Sequence, residues 1–128
     1  MPFSPENPVV WTEIPVRDLT AAQVFYQAVL GIEMTRSTAD GFDMVDFKAA
    51  GKSGVAGHLY LGTPSPKGAG PTIHLAIPDT VEAALERTRA AGGTVVSPVI
   101  TIPPGRFAKI TDPDGNSIGL FEPAKPSA

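Results

Sequence analysis

The stretch VVWTEIPVRDLTAAQVFYQAVLG (9–31) decides the fold, because it reads as a strand, a helix cap, an amphipathic helix and a helix stop in succession. Apolar Val10, Ile14 and Val16 alternate with Trp11 and Glu13, the period of two that marks a strand with one buried face. Thr12 is a guest on the apolar side. Asp18 is placed as a helix N-cap, and Ala22, Phe25, Tyr26, Val29 and Leu30 follow at helical spacing before Gly31, which ends the helix. The same plan returns in TIHLAIPDTVEAALERTRAAGG (72–93). Here Ile73, Leu75 and Ile77 alternate with Thr72 and His74, and Asp79 or Thr80 caps a helix with Val81, Ala84, Leu85, Thr88 and Ala91 on its apolar side. Glu82 stands in capping-box position to Asp79, and Gly92 and Gly93 close the helix.

Sliding residues 9–61 forward by 61 positions without a gap pairs Asp18 with Asp79, Ala22 with Ala83, Gly31 with Gly92, Lys48 with Lys109, Gly54 with Gly115 and Leu59 with Leu120. These identities sit at caps, stops and strand entries, so the chain is read as a duplicated unit. Further strands are expected at 33–37, 42–48 and 55–61 in the first copy and at 94–99, 106–110 and 117–122 in the second. Turns are expected at Gly41, at 51–54 and at DPDGN (112–116), and TPSPKGAG (63–70) is the linker. The fold class is α+β: one domain over residues 1–128, built of two βαβββ modules spanning about 8–62 and 71–123. Two facing copies enclose a cavity, a natural place for a ligand.

Composition narrows the function. With 42% hydrophobic and 18% charged residues, the 128-residue chain has ordinary globular composition. It has no apolar run near the roughly 20 residues that span a bilayer, and MPFSPENPVVW lacks the order of a secretion signal, so a cytoplasmic protein without a membrane partner is expected. The absence of cysteine removes disulfides, thiolate nucleophiles and Cys-ligated metals. A net charge of −3 with scattered lysines and arginines gives no basic footprint for nucleic acid.

Parity along the strands then sorts the side chains. Val10, Ile14, Val16, Val55, Leu59, Leu61, Ile73, Leu75, Ile77, Ile118 and Leu120 are assigned to the helix-facing side. Trp11, Glu13, Ala56, His58, Tyr60, Thr72, His74, Gly119 and Phe121 fall on the opposite, concave face. Both histidines, the tryptophan and a mid-strand glutamate therefore share one surface. Under the repeat, Trp11 matches Thr72, Glu13 matches His74, His58 matches Gly119 and Tyr60 matches Phe121.

The segments EIPVRDLTAAQVFYQAVLG (13–31), IPDTVEAALERTRAAGG (77–93) and ITDPDGNSIGLFEP (110–123) carry a resemblance to the vicinal oxygen chelate superfamily, the group of glyoxalases, bleomycin-resistance proteins and extradiol dioxygenases. The resemblance implies paired modules forming a U-shaped, partly closed sheet, commonly in homodimers whose sites can draw on both chains. It also implies metal ligands from the first and last strands of each module, which here are Trp11, His58, Thr72 and Gly119. Only His58 is a good ligand, so glyoxalase I and extradiol dioxygenase activities are disfavoured.

Two readings of the concave face stay open. In the first, a lyase- or isomerase-type enzyme works on a small molecule without metal or other cofactor, with Glu13 as base and His74, His58 and Tyr60 orienting or donating. Trp11, Thr72 and Phe121 line its cavity, and Arg106, beside TIPPG (101–105), closes over an anionic substrate or else stays solvated on an edge strand. In the second, the protein binds a drug or metabolite without changing it, as bleomycin-resistance proteins do. A divalent metal on a displaced Glu13/His58/His74 set is a further alternative. The same glutamate and histidine also allow a purely structural pairing of the two modules.

Overall fold

The structure, a computed structural model, describes residues 2–51 and 56–125. Gly54, Val55 and most of the turn expected at 51–54 lie outside the described residues. The chain runs β1 (Trp11–Val16), α1 (Leu19–Leu30), β2 (Thr35–Ala39), β3 (Phe42–Asp46), β4 (Ala56–Leu61), β5 (Ile73–Ala76), α2 (Val81–Ala90), β6 (Thr94–Val95), β7 (Ile100–Ile102), β8 (Gly105–Thr111) and β9 (Ser117–Pro123).

Helix α1 begins where Asp18, in extended conformation, accepts from the Ala21 N–H at 2.9 Å. It ends where Gly31 turns left-handed at φ 66°, a conformation that costs glycine little, and returns its N–H to the Gln27 carbonyl. Its buried face is Leu19, Ala22, Phe25, Tyr26, Val29 and Leu30. Helix α2 takes Thr80, not Asp79, as its cap, the Thr80 hydroxyl accepting from the Ala83 N–H. Asp79 instead holds the Arg87 guanidinium at 2.7 and 2.9 Å. Glu82 makes no capping box, because Arg106 claims its carboxylate.

The strands form two separate mixed sheets, ordered β1-β4-β3-β2 and β5-β9-β8-β6, with β7 added to β8. In the first, β1 and β4 are parallel with Glu13 beside His58; in the second, β5 and β9 are parallel with His74 beside Gly119. Those are the residue pairs the repeat equates. The strand expected at 94–99 is divided: β6 stops at Val95, Ser97 and Pro98 interrupt the pairing, and β7 resumes at Ile100. Proline has no N–H to give a ladder, which explains the break. TIPPG is part of an ordered hairpin, with Ile102 paired to Gly105.

Helix α1 packs on β3 and β4, α2 on β6, β8 and β9, and the helices touch each other. One apolar cluster, including Ile14, Val16, Phe25, Val45, Leu59, Val81, Ala84, Ile110, Ile118 and Leu120, runs through both modules. Val10 and Leu61 have the expected parity but are exposed. Val10 precedes β1 and Leu61 ends β4, so each lies at the margin of the face that α1 covers. The concave faces of both sheets turn away from this helix pair.

Candidate functional site

On the first sheet, strand pairing brings Trp11, Glu13, His58 and Tyr60 together. The Trp11 indole N–H donates to Nδ1 of His58 at 3.1 Å, and Nε2 of the same ring lies 3.4 Å from a Glu13 carboxylate oxygen. Tyr60, two residues along β4, meets the imidazole edge to face, with ring centres 6.0 Å apart. His58 is buried, whereas the Glu13 side chain is 61% exposed. The arrangement is a short polar line from a wet carboxylate, through an imidazole, to an indole.

On the second sheet His74 keeps different company. Its ring stands edge to face against Phe107 and Phe121, at centroid distances of 4.9 and 6.3 Å. It lies over Gly119, where even one added carbon would collide with the imidazole. Burial, and then the positive charge of Lys109, hold the His74 pKa below the ordinary histidine value. Thr72 shares a 2.6 Å hydroxyl–hydroxyl hydrogen bond with Ser117.

The structure thus divides the expected set. Glu13, His58, Tyr60 and Trp11 are in mutual reach; His74, Phe121 and Thr72 belong to the second sheet. The expectation that Glu13 faces His74 is replaced by a contact between Glu13 and His58 on adjacent strands. A cavity of about 670 Å³ does lie between the modules. It is lined by Thr12, Leu30, Ile32, Phe47, Ile73 and Leu75 among others, and of the residues assigned to the concave face it is bordered by Ala56, Thr72 and His74.

Arg106 needs correction. The ladder sets Phe107 opposite Phe121, so Arg106 shares a face with Glu122 and points toward α2 instead of the concave side. There it forms a two-pronged pair with Glu82 at 2.7 and 2.9 Å and a 2.7 Å bond to Glu122. Glu122 in turn accepts from the Val81 N–H, satisfying a free donor at the start of α2. Residues missed on the concave faces include Phe107 and Lys109 on the second sheet and, on the first, Phe42, Met44 and Asp46, the last two in register with Tyr60 and His58. Parity along 106–110 contains the signal for Phe107 and Lys109, since residues flanking Ala108 and Ile110 must face the other way.

The metal implied by the resemblance does not fit these residues. The Trp11 indole is a donor only, Gly119 has no side chain, and the Thr72 hydroxyl is engaged with Ser117. Both nitrogens of His58 already face partners. The displaced alternative is not assembled either: among the described residues no group of three or more His, Asp or Glu side chains is gathered so as to hold a metal ion. Also among these residues, no helix is long and apolar enough to cross a membrane.

Two parallel-laddered modules, each with its helix on one face and its polar residues on the other, define the class. The profile of the Glyoxalase/Bleomycin resistance protein/Dioxygenase superfamily matches residues 9–120, and the chain belongs to that family. With it the protein is a small-molecule processing or binding protein. Among solved structures it is similar to a glyoxalase/bleomycin resistance protein from Albidiferax ferrireducens, with 22% identity and a TM-score of 0.70, covering 94% of this chain and 100% of that one. It is also similar to a glyoxalase/bleomycin resistance protein/dioxygenase family enzyme from Burkholderia phytofirmans, at 18% identity and TM-score 0.64, covering 89% and 97%. A glyoxalase I mutant from Zea mays matches at 19% identity and TM-score 0.66, over 90% of this chain but 46% of that one. At such identities the likeness shows the fold alone. No curated protein sequence matches the chain.

Proposed function

We propose that the protein processes a small organic molecule by metal-free proton transfer on the concave face of the first sheet, with Glu13 as the base. The observation that carries this reading is the Trp11–His58–Glu13 line, which places an exposed carboxylate against a buried, oriented imidazole. The Glu13 carboxylate takes a proton from carbon next to a carbonyl, a step for which a positioned base is worth about 10²–10⁴-fold. His58 holds that carboxylate in place, and Tyr60 supplies a phenol at the rim. His74, with Phe107 and Phe121 set edge to face against it, gives the second sheet an aromatic cluster suited to contact with an apolar part of a ligand. Glu13→Gln is expected to lower turnover of an enolisable carbonyl substrate by at least about 10²-fold. Unchanged turnover would remove Glu13 from this role.

A second reading, sequestration without chemistry, is favoured by the apolar cavity between the modules. Both readings are compatible with a homodimer, which the exposed Trp11 and Phe42 on the concave side support. Native mass spectrometry addresses both points. Binding without chemistry predicts a dimer that releases an unaltered ligand on denaturation; an altered ligand argues for catalysis, and a monomer at micromolar concentration against the dimer.

A further inference from the structure

Trp11 is half exposed at the start of β1, yet its indole N–H is aimed inward at a single acceptor, Nδ1 of buried His58. A neutral imidazole carries its proton on one nitrogen and a lone pair on the other. A proton on Nδ1 would face the indole proton, so the ring that accepts from Trp11 carries its proton on Nε2. That second nitrogen is the one 3.4 Å from Glu13, so the donor end of the imidazole is turned to the carboxylate. The T-shaped packing of the Trp11 ring on His58, at 5.6 Å, and of Tyr60 on its other side fixes the plane of the imidazole as well.

We propose that Trp11 is a positioning residue which locks His58 in the Nε2–H tautomer, keeping its N–H edge toward Glu13 and taking it out of metal chemistry. Trp11 occupies the lone pair on one nitrogen, and the proton on the other faces Glu13, so no lone pair of the ring is open to a metal. The same contact sets the direction of the line: the N–H edge of the imidazole faces the carboxylate, and Glu13 is left as the group that accepts from a ligand. This assignment deepens the acid–base reading of the same face and rests on it.

The test needs no substrate, so its failure is separate from that of the Glu13→Gln experiment. Long-range nitrogen–proton NMR at pH 8.5 reports which ring nitrogen is protonated. With two histidines in the chain, a His74→Gln variant assigns the His58 signals. The expected result is an unprotonated Nδ1 and a protonated Nε2 in the parent protein, and convergence of the two nitrogen signals in Trp11→Phe as both tautomers become populated. A protonated Nδ1 in the parent overturns the proposal, as does an unchanged pattern in a folded Trp11→Phe variant. Should that variant unfold, the single tryptophan supplies a second measurement. Its indole proton resonance is expected to move upfield in His58→Leu, and no movement overturns the contact. One equivalent of Zn²⁺ is expected to leave the His58 signals in place; a shift that saturates at one equivalent overturns the exclusion of metal.

Discussion

Gly119 shows how much one missing side chain can decide. In the first module the matching residue is His58, flanked by Trp11 and Glu13; in the second the bare backbone lets the His74 ring occupy the space above Gly119, edge to face with Phe107 and Phe121. The two histidines therefore end in opposite chemical settings despite matching strands. His74 is exposed as a residue, yet partial desolvation of its ring and the charge of Lys109 both disfavour the imidazolium form. Lys109→Gln is expected to move the His74 pKa upward toward the ordinary value of about 6.5, as read by NMR titration; a downward or absent shift would contradict the assigned neighbour. Because the folded ring binds protons less readily than the unfolded one, His74 withdraws stability as pH falls through 6.5 toward its folded pKa. Parity along the strands put Glu13 and His58 on one face, and the ladder sets them side by side. The sequence could not show that Glu13 would turn to His58, since that choice depends on side-chain rotamers and on the Trp11 contact.

At the scale of elements, α2 illustrates a helix end governed by its neighbours. Its first free N–H is taken by Glu122 from β9, and Arg106 from β8 ties Glu122 to Glu82 in the first helical turn. Arg106 holds the Glu82 carboxyl down to about 2 and also lowers that of Glu122. Carboxyls depressed in the folded state support it above their unfolded pKa near 4.5, and that support is lost as pH falls from there toward 2. Arg106→Met is therefore expected to lower the melting temperature at pH 7, with the difference from the parent fading below pH 4; a pH-independent difference would point to lost packing of the arginine stem instead. Both helices and nearly every strand were legible as periodic patterns with caps. The division of β6 from β7 and the engagement of Arg106 in ion pairs were not, because a proline interruption and a three-residue charge network are decided by what lies across the ladder.

The whole molecule is tied at Asp112, the first residue of the DPDGN turn and a buried carboxylate. One oxygen accepts the N–H groups of Asp114 and Asn116 within the turn; the other accepts the Asn116 amide and, at 2.6 Å, the hydroxyl of Tyr26 from α1. Asn116 also donates to the Pro15 carbonyl at the end of β1. Burial, reinforced by Asp112, raises the Tyr26 pKa well above its usual value. Tyr26→Phe removes a hydrogen bond to a charged group and is expected to cost about 1.5–3 kcal/mol, measurable by urea unfolding; a loss below about 0.5 kcal/mol would mean the contact carries no weight. The turn itself was plain in the sequence, and Tyr26 was assigned to the core by its spacing; their meeting, 86 residues apart, was not readable from either. No ladder joins the two sheets among the described residues, so this knot, the Arg17–Asp114 contact, the helix contact and the common apolar cluster join them in place of a shared backbone seam. Neither half can satisfy its own end: the first supplies the phenol, the second the carboxylate. Heating should thus melt both sheets in one transition, and a chain cut within 63–70 should lose the fold of each piece together.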